Sequence, residues 1–242
     1  MTNEEKENLG NELYQKAMDL KTGKVTGKPD SEAAVPIYKA AAEYGNVGAM
    51  VELGAYYYSR MEFEDAYHWF LEAALAGSAI AMCDLGGLYH NGYFVEQDYK
   101  KAYEYFLKSY DSGFKGVCLN LGNYAAFGHY GPQGYQVAAK YYREGIENGD
   151  VDCVNSLAYL YDNGDSGFPS DKQKAAGLYR LAAERGDSLA CHNLALLYER
   201  GEGVERDLRK ALEWYKKGVL LGSQACLDRY NKLNLEMRYN GQ

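Results

Sequence analysis

Six glycines mark time along this chain: Gly45, Gly77, Gly113, Gly149, Gly186 and Gly222, at intervals of 32, 36, 36, 37 and 36 residues. A fixed period of this length is the signature of stacked helical hairpins, in which each unit buries its apolar face only against its neighbours. The period therefore constrains the fold before any single residue is read. It also constrains function, because such stacks present surfaces more often than they enclose catalytic pockets.

The rest of each unit keeps the same register. A Leu followed by a small residue recurs at Leu53-Gly54, Leu85-Gly86, Leu121-Gly122, Leu157-Ala158 and Leu194-Ala195. Three residues later stands Tyr57, Tyr89, Tyr161 or Tyr198, with Ala125 as the exception. This spacing forms one apolar stripe on a first helix, and the small residue lets a partner helix approach closely. Six residues past the small one, Gly92, Gly128, Gly164 and Gly201 are placed to end that helix; Arg60 holds the place in the second unit. Asp30, Asp98, Asp171 and Asp207 are then placed to cap the second helix. That helix carries Ala66, Ala102, Ala138, Ala175 or Ala211, followed by aromatics such as Trp69-Phe70 and Trp214-Tyr215. The first unit is degenerate but in register, with Ala17, Gly23 and Ala34 at the matching places.

The expected fold is all-α: an α/α superhelical solenoid of about six helix-loop-helix repeats with a C-terminal capping helix. Residues 1–8, charged and without apolar spacing, are expected to fray. The repeats run 9–45, 46–77, 78–113, 114–149, 150–186 and 187–222, forming one elongated domain, and 223–242 form the cap and tail. Cys226, Leu227, Tyr230, Leu233 and Met237 give the cap one apolar face.

These units resemble the Sel-one-like repeat family, an α/α solenoid related to tetratricopeptide repeats. The sixth unit, ALLYERGEGVERDLRKALEWYKKGVLLG (195–222), and the third, LGGLYHNGYFVEQDYKKAYEYFLKSYDSG (85–113), carry the likeness, which covers roughly residues 10–235. The usual period of 36 and the Gly-x-Gly-Val loop at Gly201 to Val204 separate them from tetratricopeptide units. The resemblance implies an adaptor or scaffold for protein complexes. It also brings two alternatives: a secreted or translocated bacterial factor, and a member that binds or hydrolyses β-lactams, as a cysteine-rich group of the family does. That group pairs a first-helix Cys with a second-helix Cys, and this chain has no second-helix Cys.

Charge and composition narrow the partners. A net charge of −8, from 34 acidic and 26 basic residues, disfavours nucleic acid, whose binding rests on neutralising phosphates. No stretch approaches the roughly 18 apolar residues of a membrane span, and MTNEEKENLG lacks the basic start and apolar run of a signal peptide. The expected location is the cytoplasm, or outside the cell if a signal segment has been removed. Cys83, Cys118, Cys153, Cys191 and Cys226 read as lone buried thiols, since equivalent sites in successive repeats lie about 8–10 Å apart. His68, His90, His129 and His192 fall at four different repeat positions. Cys191-His192 with Glu199 makes too small a set for zinc, Gly128 to Gly134 lacks the Lys of a phosphate loop, and Ser156, Ser188 and Ser223 have no nucleophile-elbow setting. We therefore expect no catalytic residue, no cofactor, no metal and no enzymatic activity.

The remaining candidate site is the concave face lined by first helices, pointing away from the buried stripe. It predicts a partner-binding groove of Glu52, Asp84, Asn120, Asn123, Phe127, Tyr159, Asn193 and Arg200 for a peptide or protein. Asn120 and Asn193 carry a second reading, local bonds that shape the repeat. The 25 tyrosines exceed what six cores need, and Tyr58, Tyr124, Tyr130, Tyr159 and Tyr239 are the candidates for the surface. The sequence sets no oligomeric state.

Overall fold

The computed structural model describes residues 1–25, 27–165 and 167–239; the last three residues of the expected tail lie outside it. Among the described residues the architecture is helical, with one isolated bridge between Asp165 and Phe168. Two compact units appear where the period suggested one elongated domain: Met1–Phe114 and Lys115–Gln242. The first holds α1 (Asn3–Thr22), α2 (Ser31–Glu43), α3 (Val47–Ser59), α4 (Phe63–Leu75), α5 (Ala79–Asn91) and α6 (Tyr99–Asp111). The second opens with a 3-10 turn, Lys115–Val117, and continues through α7 (Cys118–Phe127), α8 (Tyr135–Glu147), α9 (Val151–Asn163), α10 (Lys172–Glu184), α11 (Ser188–Arg200), α12 (Leu208–Leu220) and α13 (Gln224–Tyr239). Within each unit every helix packs on its predecessor and its successor.

The turn glycines act as the period predicts. At Gly45 (φ 82°) the glycine N–H reaches Ala42 O at 2.8 Å and Asn46 N–H reaches Ala41 O at 3.1 Å. This reversed turn satisfies the last carbonyls of α2. A polar residue after the glycine then caps the next helix: Asn46, Ser78, Asp150 and Asp187 each accept a backbone N–H of the first turn. After Gly113 that place holds Phe114, and the fourth repeat begins with the 3-10 turn at the boundary between the units. Asp30, Asp98, Asp171 and Asp207 cap the second helices. The cap of α8 is Gly134, without a side chain, and Asp165 of the following repeat accepts the Tyr135 N–H at 2.9 Å instead. The lengthened loop of the fifth repeat thus closes the helix of the fourth.

The small residue of the stripe works by close approach. A Cβ built on Gly54, Gly86 or Gly122 would lie 2.5, 2.5 and 2.3 Å from the rings of Phe70, Phe106 and Tyr142. The rings of Phe70, Phe106, Tyr142, Tyr179 and Tyr215 are buried in the core. The buried phenols find acceptors on the first helix: Tyr142 donates to Asn123 at 2.7 Å and Tyr215 to Glu199 at 3.0 Å.

Four expectations need correction. Residues 3–8 are helical, because Thr2 and Glu5 form a capping box that starts α1 without apolar help. Tyr124 is buried, since it stands two residues after Gly122, where Leu88, Leu160 and Leu197 fill the core of other repeats. In the second repeat the left-handed residue is Met61 (φ 62°), while Arg60 keeps φ −93°. Met61 N–H to Tyr58 O and Glu62 N–H to Tyr57 O, both 3.0 Å, repeat the Gly45 turn and replace the long loop. All five cysteines are free, as expected, but Cys83 is only half-buried; of the buried four, Cys118 and Cys153 flank Gly145, and Cys191 and Cys226 flank Gly218.

Candidate interaction face

The stripe residue that packs into the partner helix fixes where the other first-helix positions point. Two positions meet between neighbouring repeats: the fourth residue after the small one, and the second before the small one of the next repeat. In the first unit Lys21 and Glu52 occupy these positions, with Nζ 2.5 Å from Oε2. They line a cavity of about 370 Å³ with Tyr38, Tyr56, Ser59 and Arg60. At the end of the second unit Glu199 and Arg229 form the pair with reversed polarity, and Tyr215 joins it.

Asp84 occupies the Glu52 position one repeat later, facing Tyr58 where Lys21 would be. It is half-buried on α5 and makes no ion pair or hydrogen bond among the described residues. Burial alone pushes its carboxyl up to about 6. The Tyr58 phenol is pushed up too, by burial first and then by the charges of Tyr93 and Asp84. Tyr58 packs edge-on against Phe63 at 5.5 Å, and Phe63 stacks on Tyr93 at 4.3 Å. Tyr58, Tyr93 and Phe94 remain exposed by 39%, 37% and 50%, which makes this an open aromatic patch. The expected site included Asp84 and not these rings; the repeat position shared by Lys21 and Tyr58 is the signal that links them.

The second unit carries the other six expected residues. Asn123 accepts from the Tyr142 hydroxyl at 2.7 Å and so holds the core. The Tyr179 phenol donates to Asp162 at 3.4 Å, with burial and Asp162 pushing its pKa up, and Asn193 is half-buried on α11. Asn120 is half-buried on α7, and Arg200 is exposed at the end of α11. Phe127 (57% exposed) and Tyr159 (38%) bring their rings to 6.1 Å across neighbouring first helices. Farther along, Lys172 bridges Asp162 at 2.5 Å and Glu202 at 3.0 Å. His192 Nδ1 and Asn155 Oδ1 are buried without a hydrogen-bond partner. His192 lies edge-on to Tyr215 at 5.6 Å, and its pKa is lowered, by burial first and then by Arg229. Among the described residues no group of three or more His, Cys, Asp or Glu is placed to hold a metal ion. Nor is any helix there long and apolar enough to cross a membrane.

The family model of the Sel1 repeat matches residues 47–78, 79–114, 117–150, 151–187 and 188–223. The chain belongs to the Sel1 repeat family. The degenerate first hairpin, α1 and α2, lies outside those five matches. No curated protein sequence matches this Sel1 repeat chain. Among solved structures it is similar to a Sel1 repeat protein from Oxalobacter formigenes, with TM-score 0.79, 25% identity and coverage of 90% of this chain and 86% of that one. It is also similar to a protective antigen of uropathogenic Escherichia coli with the same repeat fold, with TM-score 0.60, 25% identity and coverage of 99% and 57%. An immunity protein of Pseudomonas aeruginosa, at TM-score 0.57, 17% identity and coverage of 90% and 83%, shares the fold alone. Sel1 repeat proteins generally act as protein-interaction scaffolds.

Proposed function

We propose that this Sel1 repeat chain binds a peptide or partner protein on the exposed face of its first helices. The observation that carries this reading is the exposed ring pair Phe127 and Tyr159 on neighbouring first helices. Large rings left open beside amides and a free guanidinium suit a protein interface, where aromatic side chains and Arg are enriched. In the second unit the contact residues are Asn120, Phe127, Tyr159 and Arg200. Asn123 supports them from behind through Tyr142, and Asn193 lies half-buried on the same face of α11. In the first unit Glu52 and Asp84 contribute acidic ends.

A photo-crosslinking amino acid placed at Phe127 or Tyr159, and at exposed Glu147 on α8 or Glu184 on α10 as controls, tests the face in native cells. Adducts to a discrete protein are expected from the first-helix positions and not from the controls. Equal labelling from both faces would reject the assignment.

A further inference from the structure

Acidic side chains at the contacts between neighbouring first helices are matched by a cation of this chain in three places. Glu52 has Lys21, Glu199 has Arg229, and Asp162 has Lys172. Asp84 is the exception among the described residues. It occupies the Glu52 position, and the place from which Lys21 serves Glu52 is taken by Tyr58. The neighbouring rings of Phe63 and Tyr93 complete an aromatic wall that is partly open to solvent. We propose that Asp84 and Tyr58 together receive the ammonium of a lysine side chain from a partner protein, in the role Lys21 plays for Glu52.

The chemistry on both sides fits. A half-buried carboxylate without a counter-charge is a costly state that an arriving cation relieves. An electron-rich ring face adds cation–π attraction, which strengthens as the site loses water. This chain already uses that contact elsewhere, with Lys39 at 5.5 Å from the Tyr57 ring centre and Lys101 at 5.2 Å from that of Tyr89. Burial also holds the Asp84 carboxyl near 6, so a bound ammonium lowers its pKa and stabilises the charged form. Asp84 makes no ion pair or hydrogen bond among the described residues, so its carboxylate has no internal partner to displace. The inference rests on the scaffold reading and names the chemistry of one of its contacts.

The probe is Nα-acetyl-lysine methylamide, titrated against the whole isotope-labelled chain by amide NMR, with the norleucine and arginine analogues beside it. The lysine probe is expected to shift amides around Tyr58, Asp84 and Tyr93 and to saturate in the millimolar range, while norleucine leaves them in place. Asp84→Asn is expected to weaken binding by about tenfold or more. Tyr58→Lys is expected to abolish it, because an internal ammonium then occupies the carboxylate. The spectra of both variants report whether they remain folded. Absence of lysine shifts, equal shifts with norleucine, or tighter binding of arginine each overturns the assignment. Failure here with intact crosslinks at Phe127 rejects this contact and leaves the scaffold reading standing. Lysine binding at Asp84 with no first-helix crosslinks rejects the scaffold reading instead.

Discussion

Tyr58, Phe63 and Tyr93 stand at the same repeat positions as Asp162, Lys172 and Glu202. In the first unit these positions make a stacked aromatic wall, with rings at 5.5 and 4.3 Å. In the second they make an ion-paired bridge, with Lys172 at 2.5 and 3.0 Å from its two carboxylates. Repeat register decides which residues meet across a boundary, and it leaves open what chemistry they use. The difference goes with the connection between the helices. The second repeat turns through Met61 and has no loop, whereas Lys172 follows the lengthened loop of the fifth. Gly203 pays for that arrangement in space: a Cβ there would lie 2.2 Å from Lys172 O. Phe94, in the same register, carries a full side chain at φ 65° and packs its ring 5.5 Å from Tyr67.

The comparison breaks most clearly at Gly203. Gly203→Ala combines a left-handed backbone with a clash against backbone atoms and is expected to cost about 2–4 kcal/mol. Denaturant unfolding followed through Trp214, with Trp69 replaced by Phe, measures it in the second unit. A loss below about 0.5 kcal/mol would mean that the two loops have equivalent room.

The next effect is at Asp84. The folded carboxyl keeps its proton to about pH 6, whereas an unfolded Asp releases it near 3.9. Between those values the folded chain binds more protons, so stability falls as pH rises through the window. Asp84→Asn is therefore expected to stabilise the first unit by about 1–3 kcal/mol at pH 7, read through Trp69, with the gain disappearing below about pH 4. A pH-independent change would contradict the buried-carboxylate account.

Met61→Gly gives the smallest effect. Relieving a non-glycine residue at φ 62° is expected to raise stability by about 1 kcal/mol without salt dependence. Destabilisation would show that the exposed Met61 side chain makes contacts that outweigh the backbone strain.

The legible part of the fold was the part encoded within one repeat. The turn glycines and the capping aspartates act on residues a few places away, so their spacing sufficed. Thr2 and Glu5 were equally local, and their capping-box spacing was present in the sequence beneath a charged, unpatterned segment. What escaped depends on pairs about thirty residues apart. Asp165 capping Tyr135, Gly145 between Cys118 and Cys153, and Phe63 on Tyr93 are contacts between repeats. Among the candidate site residues, Asn123 could have been read as structural. Tyr142 is a tyrosine where Phe70 and Phe106 need no partner, and a buried phenol requires an acceptor.

Helices α2 to α6 and α8 to α12 each span 13 residues. The 3-10 turn with α7 covers 115–127, the same length. From α2 to α12 length variation is confined to the connections, which behave as expansion joints between ribs of fixed size; only the terminal helices α1 and α13, of 20 and 16 residues, depart from it. A graft spliced at Met61 would lengthen a three-residue joint within a repeat at an entropic cost that grows only slowly with its size. The second repeat is thus a natural port for adding a tag, a reporter or a second binding module beside the aromatic wall.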